Sequence, residues 1–494
     1  MKILVIQLAR LGDIYQTWPT LSALRREYEN AEINLLVRER FSAAASNCPH
    51  IDKLIKLPTS EILTGVISYS DDSASLKKLS EFSQLLKDEK YDKIINLSFS
   101  PFSSYLVSSI THDQESVSGY TRFNDGYLCI PDDVSAYFYA QVGVDKENRI
   151  HLSQIFSGVA GVDLLPEDWT LDFNESFLIE ARNKFKLDKN FIVIQVGASQ
   201  SEKTYGEEKW SQVINHFRKI NPTQIVLVGA KEETELVKKV CMLAYGAKIV
   251  NLCGKTNLTE LASLVKMAEL VVAGDSLLLH IASLTNTKTL NVSFSSVNFW
   301  ETGPLAPKSR IVYGETRYDI ASDRVATEMD CMLGDKNSGN VIIPRISYGP
   351  VAYEFLDNKN KNFSWQLIEA IYMQGSYPLV EDADIAHGLQ RLNEVAHLAL
   401  QQLTEIDFSK NVDIQMELLS QVDTMLEIIP KLVPPLRPLL SWFQTERVRI
   451  GPSSLEHVLS ITKSIFMDLK SITDLYIESD PLSGVEDANA NVFT

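Results

Sequence analysis

The sequence predicts an α/β protein built from two consecutive doubly wound halves and an all-helical C-terminal region. Three observations lead there. Short apolar runs alternate with segments of helical periodicity from Met1 to about residue 120. The alternation restarts at Phe191 and continues to Val292. After about Asp330, strand-like runs become scarce and helical repeats take over. Strands alternating with helices give a parallel sheet covered on both faces. On this reading the domains are residues 1–165, 175–325 and 350–483.

The chain has 494 residues, enough for two or three cores. Hydrophobic content of 45% and charged content of 22% suit a globular chain. The five cysteines, Cys48, Cys129, Cys241, Cys253 and Cys331, are scattered and form no C-x-x-C pair. Neither a disulfide framework nor a zinc site is expected, and a reducing compartment fits. No signal peptide and no transmembrane run is evident. The net charge of −17 argues against nucleic-acid binding. From Val351 onward, 10 Lys/Arg stand against 21 Asp/Glu, a net of −11; the preceding residues carry the other −6.

The first half opens with Ile3–Ile6, an apolar run of the kind buried on both faces of a parallel sheet. Gly12 allows a tight turn, Asp13 follows, and from Ile14 apolar residues recur at helical spacing through Leu21, Leu24 and Tyr28. Asp13 thus falls where a strand hands over to a helix, the edge at which open α/β sheets bind ligands. A carboxylate there, near the positive end of a helix, can act as a general base or accept a hydroxyl hydrogen bond. It can equally be a helix N-cap. Both readings stand on this loop alone. Further strands are expected at Glu32–Arg38, Ile51–Leu57, Lys93–Ser98 and Ser116–Tyr120. Ser68–Leu76 reads as a polar loop before a helix to Leu86, and Arg122–Tyr139 as an irregular, aromatic-rich stretch. Asn148–Val159 is a helix and Leu164–Asn174 a connector.

In the second half, strands are expected at Phe191–Val196, Gln224–Gly229, Ile249–Leu252, Leu270–Ala273 and Lys288–Val292. Helices fall at Glu207–Ile220, Glu232–Ala244, Leu258–Met267 and Leu277–Leu284. Beyond Asp330, helical periodicity marks Leu367–Met373, Ile385–Leu403, Ile414–Ile429 and Leu455–Leu475, with Pro430, Pro434, Pro435 and Pro438 separating one helix from the next. Ser483–Thr494 is polar and expected to fray.

Two strand ends in the second half carry chemistry. Gly197 and Ser199 follow a strand directly, then come Lys203 and Trp210. A small-residue turn with a lysine suits phosphate, and a solvated loop with a surface lysine is the alternative. Gly274-Asp275-Ser276 opens a helix with His280 one turn inside. The acid can accept sugar hydroxyls, and the helix start with His280 can approach phosphate. A capped helix with a hydrogen-bonded, buried histidine is the alternative. No Walker loop, G-x-G-x-x-G, H-E-x-x-H or G-x-S-x-G is present.

In order, these motifs resemble glycosyltransferase family 9, the ADP-heptose:lipopolysaccharide heptosyltransferase-like enzymes. The resemblance covers residues 1 to about 315. I-L-V-I, then Gly12-Asp13 and Pro19–Leu24, is similar to the family's start, with Asp13 at its catalytic-base position. V-G-A-S-x-x-x-K and the following K-W resemble its first donor loop, through Ser199, Lys203 and Trp210. Gly254–Ala262, Gly274–His280 and Gly303-Pro304 resemble later family segments.

The resemblance implies the GT-B architecture and an inverting glycosyltransferase without a structural metal or other cofactor. It implies a nucleotide-diphosphate sugar, such as ADP-heptose, as donor, and a bacterial glycan or lipopolysaccharide-type acceptor. Asp13 would be the base. Ser199, Lys203, Asp275, Ser276 and His280 would hold the donor. Arg10 and Arg122, with Arg38 and Arg40, are candidates for an anionic acceptor. Such an enzyme works in the cytoplasm or at the inner-membrane surface. Leu277 stands where the family has glycine, and Ser293–Ser296 replaces a glycine-containing turn. The helical region has no counterpart in short members. It could bind a protein partner, mediate self-association or recognise a special acceptor, and its charge disfavours docking on an anionic membrane. The rival function is a degenerate member acting as a binding or scaffold protein through those helices; a sugar-nucleotide epimerase of the same two-domain type is a third.

Overall fold

A computed structural model describes residues 1–67, 72–171, 175–198, 200–244, 248–336, 341–342, 362–406 and 412–477. These residues form two compact units: Met1–Thr121 with Gly143–Asn358, and Arg122–Val142 with Lys359–Thr494.

The first unit holds both sheets. Its first half runs β1 (Lys2–Ile6), α1 (Leu11–Glu27), β2 (Glu32–Arg38), β3 (Lys53–Leu57), α2 (Thr59–Ile67), α3 (Asp72–Asp88), β4 (Lys93–Asn96), α4 (Pro101–Ile110) and β5 (Val117–Gly119). All strands are parallel, in the order β3-β2-β1-β4-β5. Val5 lies beside Leu35 and Ile95, and Ile3 to Ile6 are fully buried, as the unbroken apolar run requires. After the ribbon β6 (Thr121–Arg122) and β7 (Leu128–Cys129), and α5 (Asp133–Gln141), the chain continues through α6 (Leu152–Ala160) and α7 (Glu175–Phe185).

The second half runs β8 (Phe191–Gln195), α8 (Glu207–Ile220), β9 (Gln224–Val228), α9 (Thr234–Leu243), β10 (Ile249–Asn251), α10 (Leu258–Met267), β11 (Leu270–Ala273), α11 (Leu277–Leu284), β12 (Thr289–Phe294), α12 (Phe299–Thr302), β13 (Arg310–Gly314) and α13 (Ser322–Leu333). Its six parallel strands take the order β10-β9-β8-β11-β12-β13. Its core gathers Ile192, Ile194, Trp210, Phe217, Leu227, Val272 and Met329. In both sheets the strand order reverses at the central strand, between β1 and β4 and between β8 and β11. That reversal opens a crevice at the carboxyl ends of the strands, where doubly wound folds bind ligands. Gly12 and Asp13 follow β1, Gly197 follows β8 and Gly274 follows β11.

The second unit packs α5 with α14 (Phe363–Tyr372), α15 (Ala383–Glu405), α16 (Val412–Leu432), α17 (Arg437–Arg449) and α18 (Leu455–Ile477). Leu367, Leu389, Leu392, Ala396, Phe443 and Leu469 form its core, and Phe443 meets Phe466 edge-on at 4.8 Å. The segment expected to be irregular, Arg122–Tyr139, contains helix α5. Asp132 caps it, accepting the Ser135 N–H at 2.7 Å and the Ser135 hydroxyl at 2.8 Å. Tyr137 packs edge-on against Tyr372 at 5.0 Å, and Gln141 donates to the Pro438 carbonyl at 3.0 Å. Residues 122–142 therefore belong to the helical unit, although residues 1–165 read in sequence as one domain.

Other expectations shift locally. Asp72–Leu76, read as loop, is the first turns of α3, and Asp72 suits the positive end of that helix. Residues 68–71 and the terminal Ser483–Thr494 lie outside the described residues. Helices α2, α4, α7, α12, α13 and α17 and strand β13 have no counterpart among the sequence expectations. Pro430 does not end a helix but lies inside α16, near its C-terminus; Pro438 sits in the first turn of α17, where a missing N–H costs nothing. No helix among the described residues is long and apolar enough to cross a membrane.

Candidate functional site

Asp13 is the third residue of α1, and Arg10, not Asp13, occupies the N-cap position. One carboxylate oxygen, Oδ2, accepts the Arg10 N–H at 2.9 Å, closing the first turn from inside the helix. The side chain remains partly exposed. The capping role and a chemical role are thus compatible, because one oxygen serves the helix and the other is left for a ligand.

Arginines crowd this edge. Arg38, the last residue of β2, donates from Nη2 to the Ala9 carbonyl at 3.0 Å, and its buried Nε has no partner. Arg38 and Arg40 each lie 4.7 Å from the centre of the Phe41 ring. Burial, then repulsion from Arg40 and Arg10, pulls the Arg38 pKa down, opposed by Asp13. Three guanidiniums beside one carboxylate leave an excess of positive charge that an anion would relieve. Arg122 is in the other unit, where its guanidinium donates to the Gly126 carbonyl at 3.2 Å.

On the second sheet, Lys203 and Asp275 pair with each other at 2.6 Å. The second Asp275 oxygen accepts the Thr302 hydroxyl at 2.9 Å. Both charges are mostly buried, at 17% and 15% side-chain exposure, so Asp275 is a fixed acceptor and not a mobile surface acid. Ser276 is the N-cap of α11, yet its side chain makes no capping bond, and its buried Oγ has no partner. A serine there normally accepts an N–H of the first turn. The Leu279 N–H turns back to the Ser276 carbonyl at 3.1 Å, and the Leu277 and Leu278 amides are left for an anion. Leu277, half-buried, is the first residue of that turn. His280 is buried at 7% exposure; burial lowers its pKa, while Asp275 and Asp13 oppose the shift. A Cβ at Gly12 would stand 3.0 Å from His280 Cδ2, so glycine lets the Asp13 loop lie this close to α11 without displacing the ring. Ser199 lies outside the described residues. Trp210 is a core residue, 1% exposed and edge-on to Tyr205 at 5.4 Å.

Sequence reasoning missed Glu233. It sits in the turn after β9, accepting the Ala230 N–H at 2.6 Å, and burial raises its pKa. A Cβ on Gly197 would come within 1.9 Å of its Oε1. The carboxylate thus occupies the crevice beside the β8 turn. An acid in the turn after the second strand of a doubly wound half is the group that takes ribose hydroxyls in such folds. The sequence signal was that position alone. Among the described residues, no group of three or more His, Cys, Asp or Glu side chains is arranged to hold a metal ion.

Two parallel sheets of this strand order, with Asp13 at the edge of one and the Lys203–Asp275 pair beside a helix start on the other, define a doubly wound, two-sheet class of protein. The comparisons agree. The chain matches glycosyltransferase family 9 (heptosyltransferase) over residues 79–332. It is 24% identical over 300 residues to lipopolysaccharide heptosyltransferase 3 of Escherichia coli, covering 57% of this chain and 80% of that protein. It is also 24% identical over 310 residues to lipopolysaccharide heptosyltransferase 1 of Campylobacter coli, covering 59% and 83%. In fold it is similar to the family 9 glycosyl transferase of Veillonella parvula DSM 2008, with a TM-score of 0.54 at 19% identity over 68% of this chain and 97% of that one. It is similar to E. coli ADP-heptose lps heptosyltransferase II, with a TM-score of 0.51 at 19% identity over 68% and 99%. The chain belongs to glycosyltransferase family 9, and its two-sheet unit has the GT-B fold.

Proposed function

We propose that this glycosyltransferase carries out an inverting, metal-independent transfer of a heptose from ADP-heptose to a lipopolysaccharide-type acceptor. It would do so in the cytoplasm, at the inner-membrane surface where such acceptors are built. Asp13 removes the proton from an acceptor hydroxyl as that oxygen attacks the anomeric carbon. The new C–O bond forms on the face opposite the departing phosphate oxygen. The bond to the β-phosphate breaks, the pair leaves with ADP, and the proton ends on Asp13.

The charge growing on the diphosphate meets Lys203, the open amides of α11 and the Ser276 hydroxyl. These supply the positive field that a divalent cation supplies elsewhere. His280, neutral because it is buried, can donate one hydrogen bond to the diphosphate. Asp275 takes donor sugar hydroxyls and Glu233 the ribose hydroxyls. Arg10, Arg38 and Arg40 attract an anionic acceptor toward Asp13. The observation that supports this reading most is the unpartnered Ser276 Oγ at an uncapped helix start, one residue from the Lys203–Asp275 pair.

A thermal-shift panel of nucleotides and nucleotide sugars, with and without EDTA, tests the donor side. ADP and ADP-heptose should raise the melting temperature, and EDTA should leave that rise unchanged. No shift with any nucleotide would overturn the reading. D13N should lower turnover by about 10²–10⁴-fold while ADP-heptose stabilises it as well as the wild type. Wild-type turnover in D13N would remove Asp13 as base.

A further inference from the structure

Glu301 is a buried carboxylate, 6% exposed, on the four-residue helix α12. Its Oε1 accepts three N–H groups: the Gly143 main chain at 2.9 Å, Asn148 Nδ2 at 3.1 Å and Asn298 Nδ2 at 3.2 Å. Its main-chain carbonyl accepts Gln16 Nε2 at 3.3 Å. Gln16 is 3% exposed and Asn148 fully buried, so water does not compete for these bonds. The donors come from different parts of the unit. Gln16 lies on α1, one turn beyond Asp13. Gly143 and Asn148 lie in the link between the two sheets. Asn298 belongs to the loop that starts α12, and its amide also reaches the Asn148 carbonyl at 2.8 Å.

The next residue, Thr302, donates its hydroxyl to Asp275. Two adjacent residues on one short helix therefore connect the helix that carries Asp13 to the carboxylate on the donor half. Helix α12 cannot hold this place by its own cohesion, since a single turn is not stable alone.

We propose that Glu301 is a positioning residue for the transfer. It fixes α12 against α1 and the link, and through Thr302 it sets the orientation of Asp275 relative to Asp13. The proposal rests on the reading of Asp275 as the acceptor of donor sugar hydroxyls. It carries a specific corollary: because all three donors converge on one oxygen, an amide oxygen can replace the carboxylate, whereas a methyl cannot.

The test compares wild type, E301A, E301Q and T302V by hydrogen–deuterium exchange and by calorimetric titration with ADP and with ADP-heptose. In E301A, exchange should rise in the peptides covering 143–151 and 298–303, with β1 and β8 unchanged. T302V should leave that exchange unaltered. Both E301A and T302V should weaken ADP-heptose binding by about tenfold or more, the share of a hydrogen bond to a charged group, while ADP stays within about twofold. E301Q should restore most of what E301A loses in both measurements. A role in stability alone would weaken ADP and ADP-heptose together, and that result overturns the proposal. So does E301Q behaving as E301A, or unchanged exchange in E301A. If the wild type binds neither ADP nor ADP-heptose, the donor reading fails by itself, and the exchange pattern still decides whether Glu301 holds α12.

Discussion

Acidification from pH 7 to pH 5 is expected to weaken the first unit through His151. Its ring is 3% exposed. Nδ1 accepts the Ser153 N–H at 3.2 Å, which leaves the ring proton on Nε2, donated to the Gly303 carbonyl at 3.2 Å. Both nitrogens are thus committed to the neutral form. Burial, helped by nearby His280, holds the pKa down to about 3. In the unfolded chain an imidazole titrates near 6.5. Above pH 6.5 neither state takes up the proton, and stability does not depend on it. Below 6.5 the unfolded state binds a proton that the folded state refuses down to about pH 3. Stability therefore falls by about 1.4 kcal/mol per pH unit across that window. At pH 5 the loss is about 2 kcal/mol.

H151N keeps an acceptor for Ser153 and forfeits the bond to Gly303, which should cost about 1 kcal/mol at pH 7. At pH 5 that deficit should vanish or reverse, because only the wild type carries the proton-linked loss. His280, also lowered by burial, is present in both proteins. Urea unfolding followed by tryptophan fluorescence gives the two differences. The direct check is NMR of ¹³C-labelled histidine, of which the chain has eight; the resonance missing from H151N must not titrate between pH 7 and 5. A titrating resonance, or a mutant deficit equal at both pH values, would refute the reasoning.

Other variants probe the two edges. G12A adds a Cβ 3.0 Å from His280 Cδ2; melting should shift by less than about 4 °C while turnover falls, since the ring must move away from the Asp13 loop. G197A forces Glu233 out of the crevice, so calorimetry should find that wild type prefers ADP over 2′-deoxy-ADP and that both G197A and E233Q lose the preference. L277G opens the first turn of α11 and should tighten ADP binding by titration; unchanged affinity would mean that the Leu277 side chain points away from the cradle. E301Q should be at least as stable as wild type at pH 8, because burial raises the Glu301 pKa and its charged form is the costly one. That advantage should shrink as pH falls and Glu301 takes up its proton.

The strands were legible because residues such as Ile3–Ile6 and Phe191–Ile194 are buried on both faces and so are apolar without interruption. Helices with one apolar stripe, such as Glu207–Ile220, read to their ends. What stayed hidden depends on partners distant in sequence. Helix α5 looks irregular by composition because Tyr137 and Gln141 are buried against helices from beyond residue 360. β13 is a short run ending in glycine, held as an edge strand by β12. At the site, Asp13, Lys203, Asp275, Ser276 and His280 fell at strand ends that topology alone marks out. Glu301 and Thr302 did not, because their roles come from Asn148 and Asp275, each far away along the chain; Glu233 follows β9 but is marked only by its approach to Gly197.

The split composition of the helical unit also has a consequence in time. Residues 122–142 leave the ribosome about 220 residues before α14, the first helix of the C-terminal group, which at about 5–20 residues per second is a wait of roughly 10–40 s. Through that interval Tyr137, Ala140 and Gln141 have no Tyr372 or Pro438 to cover them. The first half can close its sheet while the loop it has paid out stays bare, an exposed handle for a chaperone or for another nascent chain. A gene cut at residue 358 would make that waiting state permanent. The C-terminal helices are therefore the late-arriving complement of an early segment, and removing them would damage the part of the protein that was made first.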